Sequence, residues 1–518
     1  MPASILPRAT TALLLVLSLS AQDEAKPLAA FAKAFAAAAK GKAPPPAAER
    51  QAALDGTKGI DSPRATEVFV AGWLDLDADI ATNDAQRTAV NEEIAKLIKG
   101  QESAPTRTLP KDALDRLKEV QKESAELGDR IADLRKLQSA VGDRIAVAAR
   151  RDSLLWLLQR VCSQKRPAPL KLAAARALGA GAVDVMDELV ATLSRTKDPT
   201  DQIVLLDAFA GAGHAAQAFA TPVLALLQSP EDAVAERAAL ALAKIATPEA
   251  IAPMITLLER ATGQMKMRVA SALEVLTSQQ FGSNVGSWQA WWKAEGAGFV
   301  AGGKPLGGGT PSHRKDTDKF YYFGIPQGDS SSILYVIDCS GSMKEKVKVE
   351  TGAAKTEGGA ETSRLEACKA ELSKALGLLR PEQKFAILWY NDQPHWWEKK
   401  LQPAAKDVVV RAQAFVKGLS PSSSTNIHDS MQQGFSLVGR GAKDKYYGLE
   451  LDTIFLLTDG SPTKPDGQLD STDKILIAVR EWNALKRVTI HCIAIGKDLN
   501  AEFLRRLADE NGGEFKQY

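Results

Sequence analysis

The sequence predicts a multidomain chain in which an all-α region of helical repeats precedes a doubly wound α/β domain. Three observations predict it. Between about 153 and 277, Ala- and Leu-rich helix motifs return every 31 to 33 residues, a period typical of paired-helix repeats. Beyond Phe320, apolar runs alternate with amphipathic stretches, the pattern of a parallel sheet covered by helices on both faces. The first of those runs, Ile333-Leu334-Tyr335-Val336-Ile337, ends abruptly in Asp338 and then in Ser340 and Ser342. Carboxylate and hydroxyl oxygens crowded at the end of a buried strand suit a hard divalent cation.

Length and composition bound the reading. At 518 residues the chain exceeds one core, so about two to four domains are expected. Hydrophobic residues at 45% and charged residues at 25% place it among ordinary globular proteins, and a formal net charge of +2 gives no global reason to expect nucleic acid as partner. Cys162, Cys339, Cys368 and Cys492 are scattered without a C-x-x-C pair, so neither a disulfide framework nor a zinc site is indicated. Cys339 and Cys492 lie in strand contexts and read as small buried hydrophobes.

At the N-terminus, Arg8, the short apolar core Ala12–Leu17, and small residues Ser18, Ser20 and Ala21 form a signal peptide over 1–21, which predicts export. An uncleaved membrane anchor is the other reading of that run, but the run is short for spanning, and no later segment is long enough to cross a bilayer. Residues 22–61 are rich in Ala, Lys and Pro, with Pro44-Pro45-Pro46 breaking any helix, and read as an exposed linker with a short helix at 28–39. Residues 62–150 are helical. Val120, Leu127, Leu134 and Val141 share one position of a seven-residue register, and Leu117, Ile131 and Ile145 the other, interrupted by Ser124 and Gln138. The interruptions favour a helical hairpin over a dimeric coiled coil, and the oligomeric state stays open.

The repeat region spans 151–297. Ala174–Gly179, Ala238–Ala243 and Ala270–Leu273 are its small-residue helices, and Leu178, Phe209, Leu242 and Leu273 mark the period. Second helices come after them at Leu189–Leu193, Val223–Leu227 and Met254–Leu258. The region resembles a HEAT-like array of about four units, an architecture that offers a long concave surface. Trp288, Trp291 and Trp292 fall at helical spacing; they read as a helix capping the last repeat, with a sugar- or peptide-binding stripe as the alternative. Glycines and prolines over 298–329 mark a flexible linker.

From 330 to 518 the expected strands are Ile333–Ile337, Phe385–Tyr390, Thr453–Leu457 and Val488–Ile495, with an edge strand near His395–Lys400 and a terminal one at Phe515–Tyr518. Expected helices are Leu365–Leu379, Val408–Val416, His428–Val438, Lys474–Leu485 and Ala501–Asp509. In doubly wound folds, ligands collect outside the carboxyl ends of the strands. Asp338, Ser340 and Ser342 follow the first strand, Asp459 follows Ile454–Thr458, and Thr425 sits in a polar loop that opens a helix. Two carboxylates and three hydroxyls roughly balance one divalent cation, and a cation so held keeps a position for an oxygen from outside.

These residues resemble the von Willebrand factor A domain and its metal-ion-dependent adhesion site. The carriers are Asp338-Cys339-Ser340-Gly341-Ser342, Thr425, and Thr458-Asp459-Gly460. The resemblance implies direct ligation by Ser340, Ser342 and Thr425, with Asp338 and Asp459 binding directly or through water. It implies Mg²⁺ as the metal, with Mn²⁺ or Ca²⁺ as alternatives, and protein ligands that offer Asp or Glu. Members of the family often carry Gly before the metal-binding Thr; here Ser422-Ser423-Ser424 precede Thr425, so Ser423 or Ser424 competes as ligand. The segment Lys344–Thr362 lengthens the next connection and is either a solvated loop or a specificity element.

Nothing in the sequence supports catalysis. The five histidines form no H-E-x-x-H pair, and neither a phosphate-binding G-x-x-x-x-G-K-[ST] loop nor a G-x-S-x-G elbow is present. His428, close to Thr425, reads as a first-turn helix residue, with a base as the alternative. The expected function is an extracytoplasmic binding or assembly factor. A cytoplasmic partner of an AAA-type ATPase and a metal-dependent cell-envelope hydrolase are the other classes.

Overall fold

The computed structural model describes residues 24–36, 45–103, 109–301, 306, 309, 321–327, 330–347, 361–437, 451–464, 467–496 and 500–518. The signal peptide at 1–21 falls outside the described residues, as does most of the glycine-rich linker. The stretch read as a linker at 22–61 carries two helices, α1 over 24–35 and α2 at Ala47–Asp55. Leu28, Phe31 and Phe35 repeat at helical spacing and are buried, with Phe31 and Phe35 stacked at 4.1 Å and Phe31 edge-on to Phe69 at 5.3 Å. These few apolar residues, hidden among alanines, anchor α1 to the helical core, so the short helix expected near 28–39 is present, begins at residue 24 and is packed rather than exposed.

Helices α3 (Pro63–Ser103) and α4 (Lys111–Ala146) form a long antiparallel hairpin. Val120, Ile131, Leu134, Val141 and Ile145 of the heptad seam are buried inside the chain. The polar interruptions have partners within the hairpin: Ser124 Oγ donates to Asn91 Oδ1 at 2.6 Å, and Gln138 Nε2 to Asp77 Oδ1 at 3.2 Å. A short α5 (Arg151–Leu157) leads through a π-turn into the repeats.

The repeats are four helix pairs: α6 (Ala168–Ala180) with α7 (Met186–Arg195), α8 (Pro199–Ala212) with α9 (Thr221–Ala225), α10 (Asp232–Ile245) with α11 (Ile251–Arg260), and α12 (Gly263–Thr277) with α13 (Val285–Ala301). The first helices of the pairs stack in series, and the marker residues Leu178, Phe209, Leu242 and Leu273 are all fully buried between them. Small residues permit the close crossing of α6 and α8: a Cβ on Gly179 would stand 2.9 Å from the Ala208 carbonyl oxygen. Trp288 and Trp291 are buried beside Phe281 and Phe299, and Trp288 Nε1 donates to the Gly282 carbonyl at 2.8 Å. The aromatic stripe thus seals the last pair rather than forming an exposed platform.

A two-stranded hairpin, β1 (Tyr321–Tyr322) and β2 (Ile325–Pro326), precedes the sheet domain and packs Tyr322 and Ile325 into its core. The sheet domain therefore begins before residue 330, inside the predicted linker. The main sheet contains β3 (Ser332–Asp338), β6 (Lys384–Tyr390), β7 (Pro394–Trp396), β8 (Gln402–Pro403), β9 (Thr453–Thr458), β10 (Thr489–Ala494) and β11 (Phe515–Gln517). Its order is β11-β10-β9-β3-β6-β7, parallel except at the β7 edge, with β8 also pairing antiparallel to β6. The edge strand is shorter than the predicted His395–Lys400 run and starts one residue earlier. A minor pair, β4 (Lys346–Val347) with β5 (Thr362–Ser363), closes the ends of the Lys344–Thr362 insertion.

Helices α14 (Arg364–Gly377) and α15 (Lys406–Lys417) cover one face of the sheet; α16 (Ile427–Ser436), α17 (Thr472–Trp482) and α18 (Ala501–Glu510) cover the other. Alternate residues of β3 divide between the two cores, Tyr335 and Ile337 on the first side and Leu334 and Val336 on the second. This double burial is why the strands read as continuous apolar runs.

The two regions are docked. Leu485, after α17, is buried in the apolar cluster of the helical region. Arg135 of α4 donates to Glu481 at 2.7 Å, Lys464 pairs with Asp129 at 2.6 Å, and Arg268 of α12 donates to the Lys486 carbonyl at 2.9 Å. Arg87 of α3 grips Asp429 in the first turn of α16, Nη1 to Oδ1 at 2.9 Å and Nη2 to Oδ2 at 3.2 Å. Among the described residues no single helix is long and apolar enough to cross a membrane.

Candidate metal centre

Parallel pairing in register brings the ends of the central strands to one rim. Asp338 lies opposite Tyr390 on β6, and Ile337 lies opposite Leu457 on β9, one residue before Thr458. The chain leaves each strand there, and three loops meet. Ser422 N–H donates to the Cys339 carbonyl at 2.8 Å, and Gly341 N–H to the Ser423 carbonyl at 2.9 Å, joining the first loop to the second. Thr463 N–H donates to the Thr425 carbonyl at 2.8 Å, while Thr425 N–H donates to Thr463 Oγ1 at 2.7 Å, joining the second to the third. Asn426 caps α16 by accepting from Asp429 N–H, and its own N–H bonds the Asn391 carbonyl after β6.

The predicted site residues occupy this rim. Ser340 Oγ and Ser342 Oγ are 3.0 Å apart, and Ser342 Oγ donates to Asp459 Oδ1 at 2.8 Å. Asp338 is completely buried; its Oδ1 accepts from Ser340 N–H at 2.8 Å and its Oδ2 from Thr458 Oγ1 at 2.7 Å. Thr425 faces them from the second loop: a Cβ on Gly460 would stand 3.8 Å from Thr425 Oγ1 and 3.9 Å from Ser342 Oγ. Glycine at 460 keeps that point between the two hydroxyls open. Of the competing serines, Ser423 holds a left-handed backbone (φ 59°) that serves its carbonyl contact with Gly341, and just before it Ser422 Oγ accepts from Asn391 Nδ2 at 3.0 Å.

The electrostatics are those of crowded acids. Burial, and then the charge of Asp459, push the Asp338 carboxyl up to about 6, although hydrogen bonds from Ser340 and Thr458 pull the other way. Burial likewise raises Asp459, offset by Ser342 and Arg364. Arg364, at the first position of α14, was not legible as a site residue. Its Nη1 donates to Asp459 Oδ2 at 3.0 Å and its Nη2 pairs with Glu345 at 2.7 Å. The simple balance of two carboxylates against one divalent cation therefore needs correction, because a guanidinium already meets half of one acid. The donor set remains all oxygen, incompletely neutralised, and open at Gly460, which fits a hard cation.

His428 is 2% exposed, with Nδ1 2.8 Å from Asp429 Oδ1 and its ring edge-on to Trp482 at 5.4 Å. Burial holds the imidazole down at about 4, so it is neutral and packed in the first turn of α16. All four cysteines are free and buried. Within Lys344–Thr362, residues 348–360 fall outside the described residues; Lys346 and Glu361 at its base pair at 3.6 Å.

The family resemblance to known proteins lies in the sheet domain. A family model for the von Willebrand factor type A domain matches residues 358–516. Among curated relatives, inter-alpha-trypsin inhibitor heavy chain H4 of Bos taurus is 26% identical over 215 residues, covering 40% of this chain and 21% of the relative. The human H4 chain is 28% identical over 198 residues, covering 38% and 19%. The chain thus spans about a fifth of the length of these relatives. Among solved structures, a von Willebrand factor type A protein from Catenulispora acidiphila is 20% identical over 36% of this chain and 38% of that one, with a TM-score of 0.28. Proximal thread matrix protein 1 from the mussel byssus, with a zinc-occupied MIDAS motif, is 16% identical over 36% and 41%, with a TM-score of 0.25. The family match begins at 358, yet β3, with Asp338 at its end, is the central strand of the same sheet. The chain therefore carries a von Willebrand factor type A domain, matched over residues 358–516, docked on an N-terminal array of paired helices.

Proposed function

We propose that this protein is a binding or assembly factor that uses a divalent cation, Mg²⁺ in the first instance, to capture an acidic group of a protein partner. Ser340, Ser342 and Thr425 ligate the cation directly. Asp338 and Asp459 supply negative charge, directly or through water. The remaining coordination position takes the partner's Asp or Glu. The helical array is a second interaction surface, and the chain acts outside the cytoplasm after export through its N-terminal signal. Its role is binding rather than turnover. The observation that carries this reading is the continuous oxygen cluster from Ser340 through Ser342 to Asp459, faced by Thr425 across Gly460. Titration calorimetry with Mg²⁺ on the whole chain and on Asp338→Ala tests it. Binding lost in the variant is expected; equal binding in both removes the site. Recovery of a partner from the extracytoplasmic fraction, abolished by chelator, is the expected companion result.

A further inference from the structure

Four of the five oxygen residues of the rim directly end or follow a strand, so the sheet carries them there. Thr425 differs: it lies between α15 and α16, in a loop that no strand leads into. The α3–α4 hairpin reaches that neighbourhood at two points. The first is Arg87 of α3. Besides its bonds to Asp429, its Nε donates to the Ser124 carbonyl of α4 at 3.1 Å, so both helices brace the guanidinium. Asp429 Oδ2 also accepts from Asn426 Nδ2 at 2.9 Å, and Asn426 Oδ1 accepts from Asp429 N–H at 3.1 Å. One carboxylate thus ties the residue next to Thr425 to a helix outside the sheet domain.

The second point is Asp129 of α4. Its carboxylate pairs with Lys464 at 2.6 Å and lies 3.6 Å from Lys474, which also pairs with Asp470 at 3.2 Å. Lys464 follows Thr463, whose N–H and hydroxyl make the two bonds that clasp the Thr425 backbone. Between the two points stands Gly128, in the middle of α4, where glycine weakens a helix relative to alanine. A Cβ there would stand 3.0 Å from Lys474 Nζ and 3.3 Å from Arg87 Cζ, so the small residue makes room for both cations. Arg268 of α12 docks the two regions elsewhere. It donates to the Lys486 carbonyl at 2.9 Å and to Thr489 Oγ1 at 3.1 Å, at the start of β10 and so at the opposite end of the sheet from the rim.

We infer that Arg87 and Asp129 are positioning residues for the cation site: from outside the sheet domain they hold the two loops that meet at Thr425, a role that rests on the cation reading of that rim. Neither residue touches the cation. Each raises the share of molecules in which Thr425 stands ready to ligate, and apparent affinity falls in proportion when that share falls. The coupling is reciprocal, so a bound cation steadies the hairpin against α16. The test is Mg²⁺ titration calorimetry on the whole chain with Arg87→Met, Asp129→Asn and Arg268→Gln, beside hydrogen exchange of segments 422–430 and 458–464 in EDTA. Arg87→Met is expected to weaken Mg²⁺ binding about tenfold or more, and Asp129→Asn, at a half-exposed position that tolerates replacement, about threefold. Arg268→Gln, which cuts the docking at the far end, leaves affinity within about twofold of the parent. Without metal, both rim variants exchange faster than the parent over these segments, and saturating Mg²⁺ slows exchange over 84–91 of α3 in the parent. If Arg87→Met does not fold, Asp129→Asn carries the decision. Parental Mg²⁺ affinity in Asp129→Asn and in a folded Arg87→Met overturns the assignment while the cation site stands. An equal loss in Arg268→Gln also overturns it, because general docking would then be the cause. A parent that binds no Mg²⁺ removes the cation reading instead; exchange in EDTA then decides the positioning role alone, and unchanged exchange in both rim variants overturns it.

Discussion

Replacing Arg87 by Met removes one partner of the pair that locks α3 to the first turn of α16. Both side chains are almost wholly buried, 5% exposed for Arg87 and 6% for Asp429, and the contact is bidentate. Burial opposes the charge on Asp429, but Arg87, His428 and Asn426 together hold its carboxyl well below the usual carboxylate range. Without Arg87 the carboxylate keeps only neutral partners, and such an uncompensated buried charge costs about 3–5 kcal/mol. Read locally, that is a loss of hydrogen-exchange protection in α16 of about a hundredfold to several thousandfold. Asp429→Asn alone strands the guanidinium and costs a similar amount. The double variant Arg87→Met/Asp429→Asn leaves neither charge behind and returns to within about 1 kcal/mol of the parent. A loss of protection below about fivefold in Arg87→Met, or two single effects that simply add in the double variant, refutes the argument.

Three further outcomes rest on the same geometry. Arg364→Gln withdraws the cation that competes at Asp459, so Mg²⁺ affinity by calorimetry rises about tenfold while the metal-free protein loses stability. His491, stacked on Phe455 and accepting from Glu514 N–H, is held by burial at about 4 against an ordinary 6.5. The unfolded chain therefore takes up the proton first, and the stability this neutral imidazole contributes is present above pH 6.5 and declines as pH falls toward 4, by up to about 3 kcal/mol. Asp338 and Asp452, raised to about 6, act in the opposite sense over an overlapping range, so the diagnostic quantity is the difference between the urea-unfolding pH profiles of His491→Gln and parent. Trp288→Ala opens the seal of the last helix pair and costs about 3–5 kcal/mol in the same assay; a cost below about 1 kcal/mol contradicts the capping role.

What the chain's order of residues makes legible is local and periodic. The β3, β6, β9 and β10 runs announce themselves because both faces are buried, and the four-pair array because its small residues recur. The oxygen residues at the strand ends fall into place once the strands are set. Arg364 does not: nothing about an arginine opening a helix says that its guanidinium will turn back to Asp459, 95 residues on. Nor does Arg87, 342 residues from Asp429, since a cation in an amphipathic helix ordinarily faces water. The helix over 24–35 is legible near 28–39, but its burial is not, because alanine and lysine dilute the three large side chains that anchor it.

The docking of the two regions bears on any attempt to cut them apart. A fragment starting at Tyr321 would bare Leu485 to water and leave Asp429 and Glu481 without their arginines. It would also strip the Lys486 carbonyl of its guanidinium donor. The first turn of α16, which sets where Thr425 sits, would then rest on an unneutralised carboxylate. Such a fragment should be sticky, with the charges of one flank left unpaired, and slack at its rim, and its weak grip on a cation would report the surgery rather than the native protein.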